Sequence, residues 1–271
     1  SDMAAKAANA AIAKANINRN EIDKIIFATT TPDKLMPSTA TILQHKLGIN
    51  KAASFDIQAV CSGFVYGISI AHSFIQSGFA KNILLVASEK MSSVVDWNDR
   101  STCILFGDGA GAAIISANNS EEELRNSAII GTKIYSAGEF SNILYAEGLY
   151  SKDGSFGKMC MEGREVFKYA VQSMYNSSLE LLEELGMSFA DIDLFVPHQA
   201  NIRIINSLAK KMNIDESKVI TTIDIHANTS AASIPLALDY AVKNNRLKRG
   251  DLVLISAAGS GLCWGSSLIK W

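Results

Sequence analysis

The stretch that decides the reading is Asp56–Gly67, D-I-Q-A-V-C-S-G-F-V-Y-G. An apolar strand enters a short turn, and a single cysteine, Cys61, stands where the next helix begins. That helix, from about Ser62 to Ser77, reads S-G-F-V-Y-G-I-S-I-A-H-S-F-I-Q-S and is apolar or small on nearly every side. A helix without a polar face belongs inside a large core. Its N-terminus directs unpaired backbone N–H groups and a partial positive charge at the cysteine, a placement that favours the thiolate and a nucleophilic role. The competing reading of Cys61 is a small buried hydrophobe.

Outward from this stretch, strands and helices alternate. A helix from Asp2 to about Ala15 precedes strand Lys24–Thr30, helix Ser38–Leu47, strand Ala53–Ile57, the Cys61 helix and strand Asn82–Ala87. Gly107–Gly111, in F-G-D-G-A-G-A, reads as a tight turn into a further strand; it lacks the Lys-Ser/Thr ending of a phosphate loop. From Ser127 the order restarts with strand Ala128–Tyr135, a long loop with glycines at 138, 148, 154 and 157, and helix Arg164–Leu185. Strand Leu194–Val196, helix Ile202–Met212, strand Val219–Ile223, a small-residue turn and helix, strand Asp251–Ser256 and strand Ser266–Ile269 complete the chain.

Glu21-Ile22-Asp23 and Asp191-Ile192-Asp193 lead into equivalent strands 170 residues apart, and Cys61 and Asn228 are 167 apart. The near-constant offset marks a duplication, with halves at 1–126 and 127–271. Continuous apolar strands alternating with helices predict α/β architecture with parallel-rich sheets buried on both faces. Two sheets facing each other across shared central helices account for the apolar Cys61 helix. The second half opens with a strand that has no counterpart in the first, so the repeat predicts an N-terminal strand ahead of Ser1.

Composition narrows the function classes. The 271 residues are 48% hydrophobic and 19% charged, with a net charge of −2. No overall basic field points to nucleic acid or an anionic membrane. No apolar run reaches membrane-spanning length, and the opening residues form an amphipathic helix rather than a signal peptide. Cysteines 61, 103, 160 and 263 have neither disulfide density nor metal-ligand spacing, which suits a reducing, cytoplasmic setting and predicts no metal site. Cys103, Cys160, Cys263 and His72 read as packing residues, His45 as a surface residue, and His226 is given no role.

The chemistry gathers at three strand ends. Cys61, His198 in V-P-H-Q-A-N and Asn228 in I-H-A-N-T-S all follow strands, where ligands collect in β/α sheets. A thiolate, an imidazole and an amide make a usable acyl-transfer set. Cys61 takes the acyl group, His198 and Asn228 donate to a carbonyl oxygen that turns negative, and the Gly259-Ser260-Gly261 turn offers a backbone N–H to an oxyanion hole.

Together A-V-C-S-G-F, F-G-D-G-A-G-A, V-P-H-Q-A-N-I-R-I-I, H-A-N-T-S-A-A-S-I-P-L-A-L and G-x-G-L-x-W-G-S resemble the β-ketoacyl-[acyl-carrier-protein] synthase III family, over the whole chain. The resemblance implies a thiolase-like αβαβα sandwich and a decarboxylative Claisen condensation of acetyl-CoA with malonyl-acyl carrier protein that starts fatty acid synthesis. It implies Cys61 as the acylated nucleophile, His198 with Asn228 as the decarboxylation pair, and the Cys61 and Ser260 amides as the oxyanion hole. Acyl-CoA and acyl carrier protein are substrates, and no cofactor is implied. Gln199, Ala200, Asn201, Ile202 and Arg203 match the carrier-protein-binding stretch, and Arg203, Lys210 and Lys211 lie on the helix it opens. Met36 takes the place of a residue that walls the acyl pocket across a homodimer, and the apolar 82–87 strand is compatible with that dimer. Ala258 and Ser260 depart from the family's aromatic and three-glycine pattern, and its adenine-stacking Trp and nearby Arg are expected before Ser1. Related readings are a polyketide or quinolone starter synthase and a hydroxymethylglutaryl-CoA synthase-like enzyme; a Cys-His-Asn hydrolase and a non-catalytic scaffold are the rivals of other classes.

Overall fold

The computed structural model describes residues 1–117, 120, 127–146 and 157–271; the expected loop glycines Gly148 and Gly154 lie outside them. The first half contains α1 (Asp2–Ala15), β1 (Lys24–Ala28), α2 (Thr39–Lys46), β2 (Ala53–Ile57), α3 (Gly63–Gln76), β3 (Asn82–Lys90) and β4 (Asp108–Ser116). The second contains β5 (Ala128–Ser136), β6 (Leu144–Ala146), β7 (Met159–Met161), α4 (Gly163–Glu184), β8 (Leu194–Pro197), α5 (Ile202–Met212), α6 (Ile223–His226), α7 (Ser233–Lys243), β9 (Leu252–Gly259) and β10 (Cys263–Lys270).

Among the described residues one sheet runs β2-β1-β3-β4, with β1 parallel to β2 and β3 and β4 antiparallel to β3. The other runs β5-β10-β9-β8, with β8 parallel to β9 and the remaining pairs antiparallel. Strand residues alternate between two apolar surroundings, as a sheet buried on both faces requires. Ile26 and Ala28 face a central core with Phe64, Val65 and Ile68 of α3, Ile234 and Ala237 of α7, and Val196 and Ile255 of the second sheet. Ile25 and Phe27 face α1 and α2, while Phe195 and Leu254 face α4 and α5. The layers are therefore α, β, α, β, α, with α3 and α7 shared between the sheets.

The acidic lead-ins have a direct physical role. Asp23 Oδ2 accepts from the Lys81 and Asn82 amides at 2.7 and 2.9 Å, and Asp193 Oδ2 from the Leu252 amide at 2.9 Å. Each carboxylate ties the start of one strand to the start of its neighbour. The 170-residue spacing also governs the next turns: Val60–Ser62 before α3 matches Ser230–Ala232 before α7, and Val60 and Ser230 share left-handed φ values of 46° and 51°. The counterpart of Cys61 is thus Ala231 rather than Asn228, which corrects the 167-residue pairing.

Other expectations change as well. Val219–Ile223 is not a strand: Val219 makes a single bridge with Phe195, and the chain then turns into α6. The Gln199 side chain supplies what a ladder would, donating to Ile220 O at 3.1 Å and accepting from Thr222 N at 2.7 Å. Gly109 and Gly111 lie within β4 instead of forming a turn. A Cβ on them would stand 2.9 Å from Leu236 Cδ1 and 2.6 Å from Pro235 Cβ, so glycine lets β4 lie against α7. Strand β3 is interior to its sheet and buried from Ile83 to Glu89, so it offers no edge to a second copy. Cys160 is exposed on β7 and does not pack inside.

Candidate active site

Cys61 sits in the turn between β2 and α3, 5% exposed. The turn holds a β-branched residue, Val60, in left-handed backbone, a conformation that costs about 1–3 kcal/mol and needs surrounding support. Ser62 supplies some of it: its hydroxyl bonds Ala59 O and Cys263 O, both at 2.8 Å, fastening the turn to the start of β10. Burial above all pushes the thiol up to about 12, and the negative charge of Glu89 adds to the rise. The expected lowering by the helix N-terminus is therefore outweighed in the resting protein, because desolvation penalises the thiolate more than one helix end favours it.

The end of β9 closes on this turn. A Cβ on Gly259 would lie 2.7 Å from Cys61 N and 3.2 Å from Ser62 N, so Gly259 is the residue of the 259–261 turn that touches the Cys61 amide. The Ser260 hydroxyl is bonded to Leu144 O on β6. Ala258 is buried opposite Trp264, whose ring stacks on Tyr135 at 5.7 Å.

His198 follows β8 and is fully buried. Its Nδ1 is 2.6 Å from Ser233 Oγ at the start of α7, and burial pushes its pKa down to about 3. Ser233 Oγ also accepts from the Gln199 amide at 3.3 Å. Giving each group one role makes the Ser233 hydroxyl donate to Nδ1 as acceptor and leaves the ring proton on Nε2, a neutral imidazole with a donor available to the site. Asn228 is fixed as firmly. Its Oδ1 accepts from Ser230 N at 2.9 Å, which leaves Nδ2 as the outward donor, with a long 3.5 Å contact to Ala200 O. Its backbone is clamped from both sides, Asn228 N to Leu105 O at 2.9 Å and Gly107 N to Asn228 O at 3.0 Å. A Cβ on Gly107 would stand 2.8 Å from His226 O, so the glycine of F-G-D-G allows the clamp.

The three residues are tied together through α7 and the turn before it. His198 bonds Ser233 and Asn228 bonds Ser230, and the turn carrying Ser230 packs against the turn carrying Cys61, where a Cβ on Gly63 would stand 3.2 Å from Ala231 Cβ. Sequence reading named Gly259 within the oxyanion turn and Gly107 only as a turn residue, and it missed Ser230, Ser233 and Glu89; of these three only Glu89, a charge closing the apolar run L-L-V-A-S-E, leaves a visible signal. The expected docking stretch divides. Gln199 is 0% exposed and presents no side chain to a partner, while Ala200 is half-buried against the α4/α5 core. Ile202 and Arg203 are exposed, with Asn201 capping α5 through its bond to Arg203 N at 2.8 Å. Lys210 is exposed on the same helix, whereas Lys211 bonds Gln172 at 2.8 Å and lies over the Tyr175 ring at 4.4 Å, engaged with α4. Met36 and Leu35 are each 75% exposed. Asp56 accepts from the Thr39 and Ala40 amides, both at 2.7 Å, which holds the loop carrying them beside β2.

Comparison with known proteins places the chain in a family. Residues 55–138 match the model of 3-oxoacyl-[acyl-carrier-protein] synthase III, and residues 182–271 match the model of its C-terminal part. The chain is 52% identical to β-ketoacyl-[acyl-carrier-protein] synthase III of Rickettsia bellii and 50% identical to that of Rickettsia prowazekii, each over 271 residues, all of this chain and 84% of the relative. The crystal structure of the Aquifex aeolicus 3-oxoacyl-[acyl-carrier-protein] synthase III superposes with a TM-score of 0.93 at 46% identity, covering 99% of this chain and 83% of that one. With half its residues identical along its full length and its thiolase-like layers superposed, the chain belongs to the β-ketoacyl-[acyl-carrier-protein] synthase III family of acyltransferases.

Proposed function

We propose that Cys61 accepts the acetyl group of acetyl-CoA and that His198 and Asn228 then drive its condensation with malonyl-acyl carrier protein. The observation that carries this reading is the paired fixation of the two donors: Ser233 holds His198 Nδ1, and the Ser230 amide holds Asn228 Oδ1. Both side chains are left with an N–H for one oxygen. Attack by the Cys61 sulfur on the acetyl thioester expels the coenzyme thiol and stores the acyl group. The malonyl carboxylate next leaves as CO2, and its electron pair forms an enolate whose oxygen receives the two N–H donors. The enolate carbon attacks the acyl-Cys61 carbonyl, the Cys61 thiolate leaves, and a 3-oxoacyl thioester remains on the carrier. Electron pairs move only among C–C, C–O and C–S bonds, so these steps call for no redox cofactor. Burial of the site supports the reading, because an acyl thioester and an enolate survive where water is scarce.

Arg203 and Lys210 are the exposed cations on α5 that suit an acidic carrier protein. A homodimer is supported by the outer edge of β2, which no described strand covers, and by exposed Leu35 and Met36 beside it. Radiolabelled acetyl-CoA tests the core of the proposal. Label is expected on the Cys61 peptide and absent in Cys61→Ala, and malonyl-carrier protein is expected to release it as a four-carbon product. Release as free acetate, or labelling elsewhere, overturns the proposal.

A further inference from the structure

Asn228 stands in a strained stretch of backbone. Ala227 before it has φ 57° and ψ −164°, a combination that glycine ordinarily takes, and Ser230 after it is left-handed at 51°. Neither residue has the freedom of glycine, so the turn keeps this shape only where its surroundings hold it. On the Ala227 side the hold is the backbone clamp from Leu105 and Gly107. On the Ser230 side it is Glu89, the last residue but one of β3, which is 0% exposed and takes no part in the steps above. The Ser230 hydroxyl donates to Glu89 Oε1 at 3.1 Å. The carboxylate is itself fixed by the loop after β1. Thr30 N, Thr31 Oγ1 and Thr29 Oγ1 donate to Oε2 at 3.0, 2.8 and 3.2 Å, and Thr30 Oγ1 lies 3.1 Å from Oε1. All of these partners are uncharged, so this buried acid balances no cation among them and its work is geometric.

We propose that Glu89 is a positioning residue for Asn228, acting through Ser230. This rests on Asn228 as a donor to the enolate. Glu89 holds the Ser230 hydroxyl, the hydroxyl holds Ser230 in left-handed backbone, and in that conformation the Ser230 amide meets Asn228 Oδ1 at 2.9 Å. With Oδ1 occupied, Nδ2 keeps its N–H outward. Helix α7 fixes the chain downstream, so a change of φ at Ser230 rotates the peptide before it and swings its N–H away from Oδ1. The Asn228 side chain is then free to present its oxygen to the enolate, where it repels the negative charge that its N–H would stabilise. The Glu89 charge gives acetyl loading no help, since it adds to the rise that burial already imposes on the Cys61 thiol. Its contribution falls on the second half-reaction, where Asn228 works.

The test separates the half-reactions in single turnovers: labelling of Cys61 by radiolabelled acetyl-CoA, and condensation of pre-acetylated enzyme with malonyl-carrier protein. Asn228→Ala sets the scale, with condensation slowed about a hundredfold or more and labelling spared. Ser230→Ala and Ser230→Gly both lack the hydroxyl, but glycine takes a φ of this sign without support. Ser230→Ala should therefore condense about thirtyfold more slowly, and Ser230→Gly only about threefold, as a displaced donor and a retained one predict. Glu89→Ala should lose as much as Ser230→Ala, yet cost less than about twofold when added to Ser230→Gly, because coupled residues do not lose twice. Glu89→Gln, whose side chain still reaches the Ser230 hydroxyl, should recover about tenfold over Glu89→Ala. The KM for malonyl-carrier protein should stay within about twofold throughout, since the affected contact belongs to the transition state. Equal condensation by Ser230→Ala and Ser230→Gly, or a Glu89→Ala loss undiminished in Ser230→Gly, overturns the positioning role. Normal condensation by Asn228→Ala overturns the assignment of Asn228 instead, and the positioning role with it. If Glu89→Ala melts early, the two Ser230 variants, which keep the carboxylate, decide the matter.

Discussion

Replacing Gly259 with alanine adds one methyl group at the most crowded point of the site. That carbon would stand 2.7 Å from Cys61 N, 3.2 Å from Ser62 N and 3.3 Å from Ala59 O, where ordinary contact begins at 3.4 Å. All three neighbours are backbone, so no side chain can rotate away, and the turn must retreat by about 0.7 Å. Retreat is opposed on both sides, by the left-handed Val60 and by the Ser62 hydroxyl bonded to Cys263 O. Overpacking of this kind costs about 1–3 kcal/mol of stability. The methyl also fills the space in front of the Cys61 amide, and loss of one oxyanion donor costs about a hundred- to a thousandfold in rate. Single-turnover acetyl loading and condensation, read beside thermal melting, measure both effects. The comparison is Gly138→Ala, where an added Cβ meets nothing within 4 Å and both readings should stay near wild type. A Gly259→Ala enzyme that loads and condenses within threefold of wild type would refute the placement of Gly259 against a working amide.

Three further outcomes follow from the same geometry. His198 is held at about 3, below its ordinary 6.5, so the unfolded chain binds a proton that the folded one refuses; stability should fall by about 1 kcal/mol between pH 6.5 and 5.5, and His198→Asn should flatten that part of the denaturant-midpoint profile. Ser233→Ala frees the His198 ring from its only hydrogen-bonded anchor among the described residues and should slow condensation of pre-acetylated enzyme about tenfold or more while sparing acetyl loading; equal losses in both half-reactions would argue against a role in orienting His198. Arg203→Glu should raise the KM for malonyl-carrier protein about tenfold at low salt, with a smaller effect at high salt and none on acetyl loading; a KM that does not respond removes Arg203 from the docking surface.

Local chemistry decided what could be read from sequence. The duplication was legible because Asp23 and Asp193 perform the same local task at the same spacing. Cys61 and His198 were legible because each follows an apolar strand and brings its own chemistry; Asn228, expected after a strand, instead follows α6. Gln199 was misread as a docking residue because a polar side chain in a polar motif gives no sign of burial; its amide is consumed by Pro197, Ile220 and Thr222. Ser230 looked like one small residue among many in N-T-S-A-A-S. Its connection to Glu89 spans 141 positions and exists only once the two sheets share their central helices.

The asymmetry between the halves is what makes a repeat into a catalyst. Both carry a left-handed residue followed by a turn and a central helix, at Val60–Gly63 and Ser230–Ser233. Both close that turn with the end of a strand, β9 on the first and β3 on the second. At the strand end the first turn meets Gly259, whose hydrogen leaves the Cys61 amide uncovered. At the equivalent position 170 residues earlier, the second turn meets Glu89, whose carboxylate reaches the Ser230 hydroxyl. A duplicated backbone sets two turns side by side, and unlike side chains make one the seat of a nucleophile and the other its support. Exchanging the small residue for the large one at either strand end would crowd one turn and leave the other without its carboxylate. Position 259 therefore demands glycine for the same geometric reason that position 89 can hold a buried acid.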